Sequence, residues 1–205
     1  VNNMGLPDNY DPEFVPNGND LHLAAVRAMD DEISFFVVHS EDRKAVAARL
    51  PFVVDVLCAA LEVKGDHRVR AIDLALQLRA HFWLEANNLE DWGRLVSNIL
   101  PIMFDLEDDV LKSRVFQMWG IYHYYVQSKP EALQSFNGAL SWLEDSPRED
   151  LKLLWQVEQF NMNAPKMTWE SACVEADNLV HEARAMDFPL VMGRAYFSLA
   201  RAASA

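Results

Sequence analysis

Small and apolar residues recur in this chain at a spacing of 40. Ala80, Gly120, Phe160 and Ala200 stand 40 apart in stretches of helical apolar spacing, and Trp92, Ala132 and Ala172 repeat the interval in the stretches that follow. Val96, Phe136 and Ala176 keep the same phase, as do Ile99, Ala139 and Leu179. A period in this range, with two helices in each unit, means stacked helical hairpins that bury their apolar faces against one another. The expected fold class is therefore all-α, a solenoid of antiparallel helical hairpins with a period of about 40 residues.

Turn and cap signals divide the chain in step with that period. Residues 1–19 hold Pro7, Pro12 and Pro16 among Asn, Asp and Gly and show no apolar period, so they are expected to form an extended or disordered arm. Within it, Tyr10 and Phe14 could anchor a docking element, or the whole stretch is linker. Residues 20–205 are expected to form one α-solenoid domain, opened by Asp20 as N-cap with Leu21, Ala24, Ala25, Ala28 and Met29 at helical spacing. Residues 33–39 are rich in β-branched and aromatic side chains and suit a strand as well as a helix. No partner strand follows, so they are read as helical.

Farther on, Pro51 either kinks a helix or opens a new one, and residues 52–61 are apolar almost all round. Gly65 closes that helix and Asp66 caps the next. A helix from Val69 ends near Asn87, and a second runs from Glu90 to Leu106 across Pro101. Residues 108–127 pair with 130–144, residues 148–162 pair with 168–186, and a last helix starts at Leu190. The chain opens on Val1 and closes at Ala205 inside a helical pattern, and is expected to be part of a longer protein.

The central hairpin carries a family resemblance. Phe116, Trp119 and Gly120 in its first helix, and Ala132, Phe136 and Ala139 in its second, resemble the tetratricopeptide repeat, whose motif places aromatic and small residues at these positions. His123 stands where an aromatic is usual, and the closing Pro147 comes late. Tyr196, Leu199, Ala200 and Ala203 are similar to another first helix, and Ala176, Val180, Ala183 and Pro189 to another second helix in a shifted register. The resemblance covers roughly residues 69–205 and implies that the solenoid is a right-handed superhelix. A competing likeness is to a HEAT-type α-solenoid, carried by Asp66, Val69 and Arg70 after the apolar run 54–61.

Composition narrows the function. The net charge is -13, which argues against nucleic acid as the main partner, because phosphate binding needs concentrated Lys and Arg. No apolar run approaches the length of a membrane span, and the opening residues lack a basic stretch followed by an apolar one, so a cytoplasmic protein is expected. Cys58 and Cys173 lie in apolar helical contexts and read as buried thiols of a reducing compartment. The chain has neither a Gly-rich phosphate loop nor a nucleophile elbow.

Other constellations are thin. His81 and Glu85, four apart, could supply two metal ligands but no third is identifiable, and His123 could serve as ligand or base; packing between helices explains both. Acidic pairs at 107–109, 144–145 and 149–150 stand where helices start and suit the helix dipole. No catalytic residue, metal or cofactor is assigned.

What remains is the concave surface that the resemblance implies. Transferring the family's groove positions onto the matched helices selects Arg114, Gln117, Ile121, Tyr124 and Tyr125 in the central unit. Gln77, His81 and Glu85 come from the unit before it, and Arg194, Phe197 and Arg201 from the one after. Aromatics, amides and arginines supply most interface hot spots. The expectation is a non-catalytic interaction or scaffolding module holding a peptide or protein segment. The alternatives are a ligand-sensing regulatory domain of a multidomain bacterial signalling protein, which would take a small molecule, and a helical enzyme with a His/Glu pocket.

Overall fold

A computed structural model describes residues 18–39, 42–84, 89–126 and 128–204. Among them every regular element is helical and no strand occurs. The helices are α1 (Gly18–His39), α2 (Arg43–Leu61), α3 (Asp66–Leu84), α4 (Leu89–Met103) and α5 (Asp109–Tyr125). They are followed by α6 (Lys129–Ser141), α7 (Glu149–Asn163), α8 (Trp169–Ala185) and α9 (Pro189–Ala203), with a 3-10 turn at Ala164–Lys166. Among the described residues no helix is long and apolar enough to cross a membrane. The first seventeen residues of the arm expected at 1–19 lie outside the described residues, and α1 begins at Gly18, ahead of the expected cap Asp20.

Residues 33–39 complete α1. Their burial follows a helix rather than a strand: Met29, Glu32 and Phe36 point inward at spacings of three and four, while Val37 and Val38 are exposed. Helix α2 runs through Pro51 without ending. The proline lies on the exposed side, and it leaves the Ala47 carbonyl without its intrahelical N–H partner. Pro101 is likewise exposed within α4, which stops at Met103, three residues short of the expected end.

Local chemistry sets the helix ends. Asp108 accepts hydrogen bonds from the Val110 and Leu111 amides at 2.8 and 3.1 Å, which caps α5 and accounts for one of the acidic clusters. Asp42 caps α2 through Ala45 N–H, and Thr168 caps α8 through Ser171 N–H. Gly65 takes φ 81 in the turn between α2 and α3, which an L side chain resists. After α8, Asp187 (φ 51) turns the chain, and the Phe188 amide reaches back to the Ala183 carbonyl at 2.8 Å.

Each helix packs on its sequence neighbours, most extensively α5 on α6, and α2 also packs on α4, α3 on α5 and α7 on α9. Side-chain hydrogen bonds between these next-but-one helices link residues at similar separations. Arg79 and Gln117 are 38 apart, Arg114 and Asp73 41, Trp155 and Ser113 42, Arg201 and Asn161 40, and Arg194 and Glu158 36.

Two large apolar cores and a small cluster of Ala132, Phe136 and Met162 result among the described residues. One core gathers buried residues from Met29 to Met118 and the other from Ala139 to Ala195, and Phe116 packs against both. The α5–α6 hairpin is thus the joint of the molecule. A Cβ added at Gly120 would stand 2.9 Å from Phe136 Cε2, so only glycine allows α6's buried aromatic ring this close to α5. Gly93 does the same for Tyr122 where α4 meets α5. Ala132 and Ala139 are fully buried. Across the joint, the Trp155 indole N–H donates to Ser113 Oγ at 2.7 Å, and the Ser113 hydroxyl donates to the Ala139 carbonyl at 2.7 Å.

Candidate functional site

Four helices, α3, α5, α7 and α9, turn side chains toward one cleft of about 370 Å³. Helix α5 supplies Gln117, Ile121, Tyr124 and Tyr125, at the spacing that puts residues on one helical face. From α9 come Arg194 and Phe197, from α7 Glu158, Asn161 and Met162, and from α3 Arg79. Phe136 of α6 closes the floor, already held in place by Gly120.

Of the residues selected from the sequence, Gln117, Ile121, Tyr124, Tyr125, Arg194 and Phe197 come together here. Arg201 stands at the edge, where it donates to Tyr124 Oη at 3.1 Å and to Asn161 Oδ1 at 2.8 Å. It therefore braces two lining residues. The others are elsewhere. Gln77 and His81 line a separate groove between α1 and α3 with Ile33, Phe36 and Val37. Arg114 pairs with Asp73 at 3.1 Å, and Gln77 donates to the same carboxylate at 2.8 Å. Glu85 lies outside the described residues.

Five lining residues escaped the sequence reading: Arg79, Phe136, Glu158, Asn161 and Met162. Asn161 stands 40 from both Ile121 and Arg201, so the spacing alone could have found it. Arg79 was missed because its own contact with α5 falls two residues out of the strict period. Its Nη1 donates to Gln117 Oε1 at 2.8 Å, where a spacing of 40 puts Gln77. Two residues of helix turn a side chain by about 200°, which sends Gln77 to the other side. Phe136 was read as a packing residue, and it is one; its ring also faces the cleft.

The electrostatics of the cleft are uneven. Arg194 forms an ion pair with Glu158. Arg79 has no carboxylate within ion-pairing distance among the described residues; its one protein acceptor is the buried Gln117 amide. Burial, with the nearby Arg114 and Arg194 charges, lowers the Arg79 pKa to about 10. Burial also lowers that of Arg194, with Tyr125 opposing. The Tyr125 hydroxyl is pushed up by burial and by Tyr124, and drawn down by Arg194. In a chain of net charge -13, this is a small electropositive concavity with aromatic walls.

The remaining candidates are placed as follows. His123 is half-buried with its ring edge-on to Trp119 at 4.2 Å, its Nδ1 has no hydrogen-bond partner among the described residues, and burial lowers its pKa. Cys58 and Cys173 are unpaired and half-buried rather than fully buried, and burial raises the Cys58 thiol pKa. Glu149 pairs with Lys152 and Asp150 with Arg148 at the start of α7. Among the described residues no three His, Cys, Asp or Glu side chains gather as a metal-binding group. The chain matches no protein-family model, no curated protein and no solved structure.

Proposed function

We propose that this chain is a non-catalytic, cytoplasmic α-solenoid of tetratricopeptide-like hairpins that holds a peptide or protein segment in the α3–α5–α7–α9 cleft. The observation that carries the reading is the convergence of six of the eleven selected residues, from two separate hairpins, on one concavity. Cross-helix pairs at separations of 36 to 42 support the repeat, since stacked units bring equivalent positions of successive hairpins together. Exposed Tyr125 and Phe197 offer apolar area with little rotamer entropy to lose, and Arg194 and Asn161 offer directed polar contacts.

A peptide display selection on the protein tests this. Selected peptides should bind the Tyr125→Ala/Phe197→Ala double variant at least about tenfold more weakly, each exposed aromatic contributing on the order of 1 kcal/mol or more. Circular dichroism and Tm should be unchanged. Equal binding to wild type and variant would remove the cleft as the site.

A second reading, a ligand-sensing regulatory domain, draws on the cleft volume, which lies within the range of about 300–1,000 Å³ that small molecules occupy. A metabolite screen by thermal shift separates it from a scaffold, because a ligand that binds only the folded state raises Tm by mass action.

A further inference from the structure

The cleft holds a cation that has no counter-ion among the described residues. Arg79 comes from α3 into a wall otherwise built by α5, α7 and α9. A guanidinium carries five N–H donors in a planar fork. One of them goes to Gln117 Oε1 at 2.8 Å, and among the described residues no other protein acceptor lies within hydrogen-bond distance of the rest.

Desolvating a cation beside other cations is costly, and proteins ordinarily pair such a group. Here the neighbours make matters worse. Arg114 and Arg194 both repel Arg79. The carboxylates nearest those two are already engaged, Asp73 by Arg114 and Glu158 by Arg194. Elsewhere Arg49, Arg70, Arg94 and Arg148 each hold a carboxylate, while Arg68 and Arg201 use carbonyl, amide or hydroxyl oxygens; what sets Arg79 apart is that it lines a cleft with a single protein acceptor among the described residues.

Charge and shape together indicate what fills the gap. The lining carries Arg79, Arg194 and Glu158, and Arg201 stands at its edge, so the cleft is positive in net. An anion balances that excess. The fork of a guanidinium matches the two oxygens of a carboxylate. Beside it, Ile121, Tyr125, Met162 and Phe197 form an apolar wall. We infer that the cleft recognises a carboxylate through Arg79, with an adjoining apolar or aromatic group of the same ligand seated against Ile121, Tyr125 and Phe197. The inference rests on the cleft being the binding site. It adds the chemistry of what is bound, which either a peptide's free carboxylate or a small aryl or alkyl acid supplies.

Calorimetric titration of the 205-residue chain tests it with matched pairs: N-acetyl-leucyl-phenylalanine against its C-terminal amide, and 4-phenylbutyrate against 4-phenylbutyramide. Each acid should bind at least about tenfold more tightly than its amide, the difference expected of a charge-assisted bidentate contact. Which acid binds more tightly separates the peptide source from the small-molecule source. Arg79→Gln should lower acid binding to the level of the amide and leave amide binding unchanged, and Arg79→Lys should fall between. Acids and amides that bind alike, or an acid preference that survives Arg79→Gln, overturns the inference. So does inorganic phosphate displacing the acids at equal concentration, which would mark a bare anion site. Should Arg79→Gln fail to fold by circular dichroism, the acid–amide comparison on wild type and Arg79→Lys decides.

The two readings fail differently. Display-selected peptides that need Tyr125 and Phe197 yet show no acid preference would leave the binding module standing and remove the carboxylate. If neither selected peptides nor acids use the cleft, both fall.

Discussion

Helix α5 turns one face into protein and another into the cleft, and the two are built from different materials. The packed face carries Ser113, Phe116 and Gly120, two of them small, and through them α6 and α7 come close enough to bury Phe136 and Trp155. The cleft face, offset by one position, carries Gln117, Ile121 and Tyr124, with Tyr125 at its edge. On the first face every atom has a neighbour, so volume and hydrogen-bond closure decide stability. On the second, aromatic and polar groups are held in place without being used up by packing. Only Gln117 belongs to both: it is buried, and it also fixes Arg79.

The largest way to break this contrast is to enlarge the packed face. Gly120→Val places new carbon atoms within contact of a Phe136 ring that is 1 % exposed and has nowhere to go. A loss of about 3 kcal/mol is expected from overpacking, read as a lower denaturation midpoint in urea. A midpoint within error of wild type would show that the hairpin tolerates separation and that the two faces do not differ. Next comes Ser113→Ala, which changes little volume but leaves the buried Trp155 N–H without its acceptor. It should cost about 2 kcal/mol, and pairing it with Trp155→Phe should recover part of that loss.

The smallest effect is expected at His123, which lies toward neither face and packs on Trp119. Burial holds its folded-state pKa below the ordinary histidine value, with Glu131 pulling the other way. The unfolded chain therefore takes up the proton first as pH falls through about 6.5, and this group then draws stability away until the folded-state pKa is passed. His123→Phe should shrink the drop in Tm between pH 7.5 and 5.5. An unchanged drop would assign the acid sensitivity to other groups.

The two faces were not equally legible in the sequence. Packing positions announce themselves by size: Gly120, Ala132 and Ala139 had to be small, and the structure buries all three. Helix type was equally plain from Val69 onward, because apolar periodicity, caps and prolines agree. Residues 33–39 were ambiguous because β-branched side chains fit strands too; the inward spacing of Met29, Glu32 and Phe36 decides them as helix.

The cleft face has no such mark. An arginine beside a cleft and an arginine on a salt-bridged surface are the same letter. Arg114 was selected and is paired to Asp73, whereas Arg79 was passed over and lines the cleft. Separating them needs the packing of α3 on α5, where Arg79 meets Gln117 at 38 and Asp73 meets Arg114 at 41, an offset on either side of the strict spacing. That offset follows from how the helices settle on one another, and no single stretch of sequence encodes it.

Phe116 touches the apolar clusters on both sides of the α5–α6 hairpin. A chain with two cores and a polar seam would come apart in two stages, one half melting while the other persisted. A ring shared between the halves makes each a boundary condition for the other, because losing either core exposes Phe116 and weakens what remains. The two halves are therefore expected to unfold together, which coincident transitions by different probes would show. A ligand clasped between α3 on one side of the joint and α9 on the other would tighten that unit by bridging its two halves.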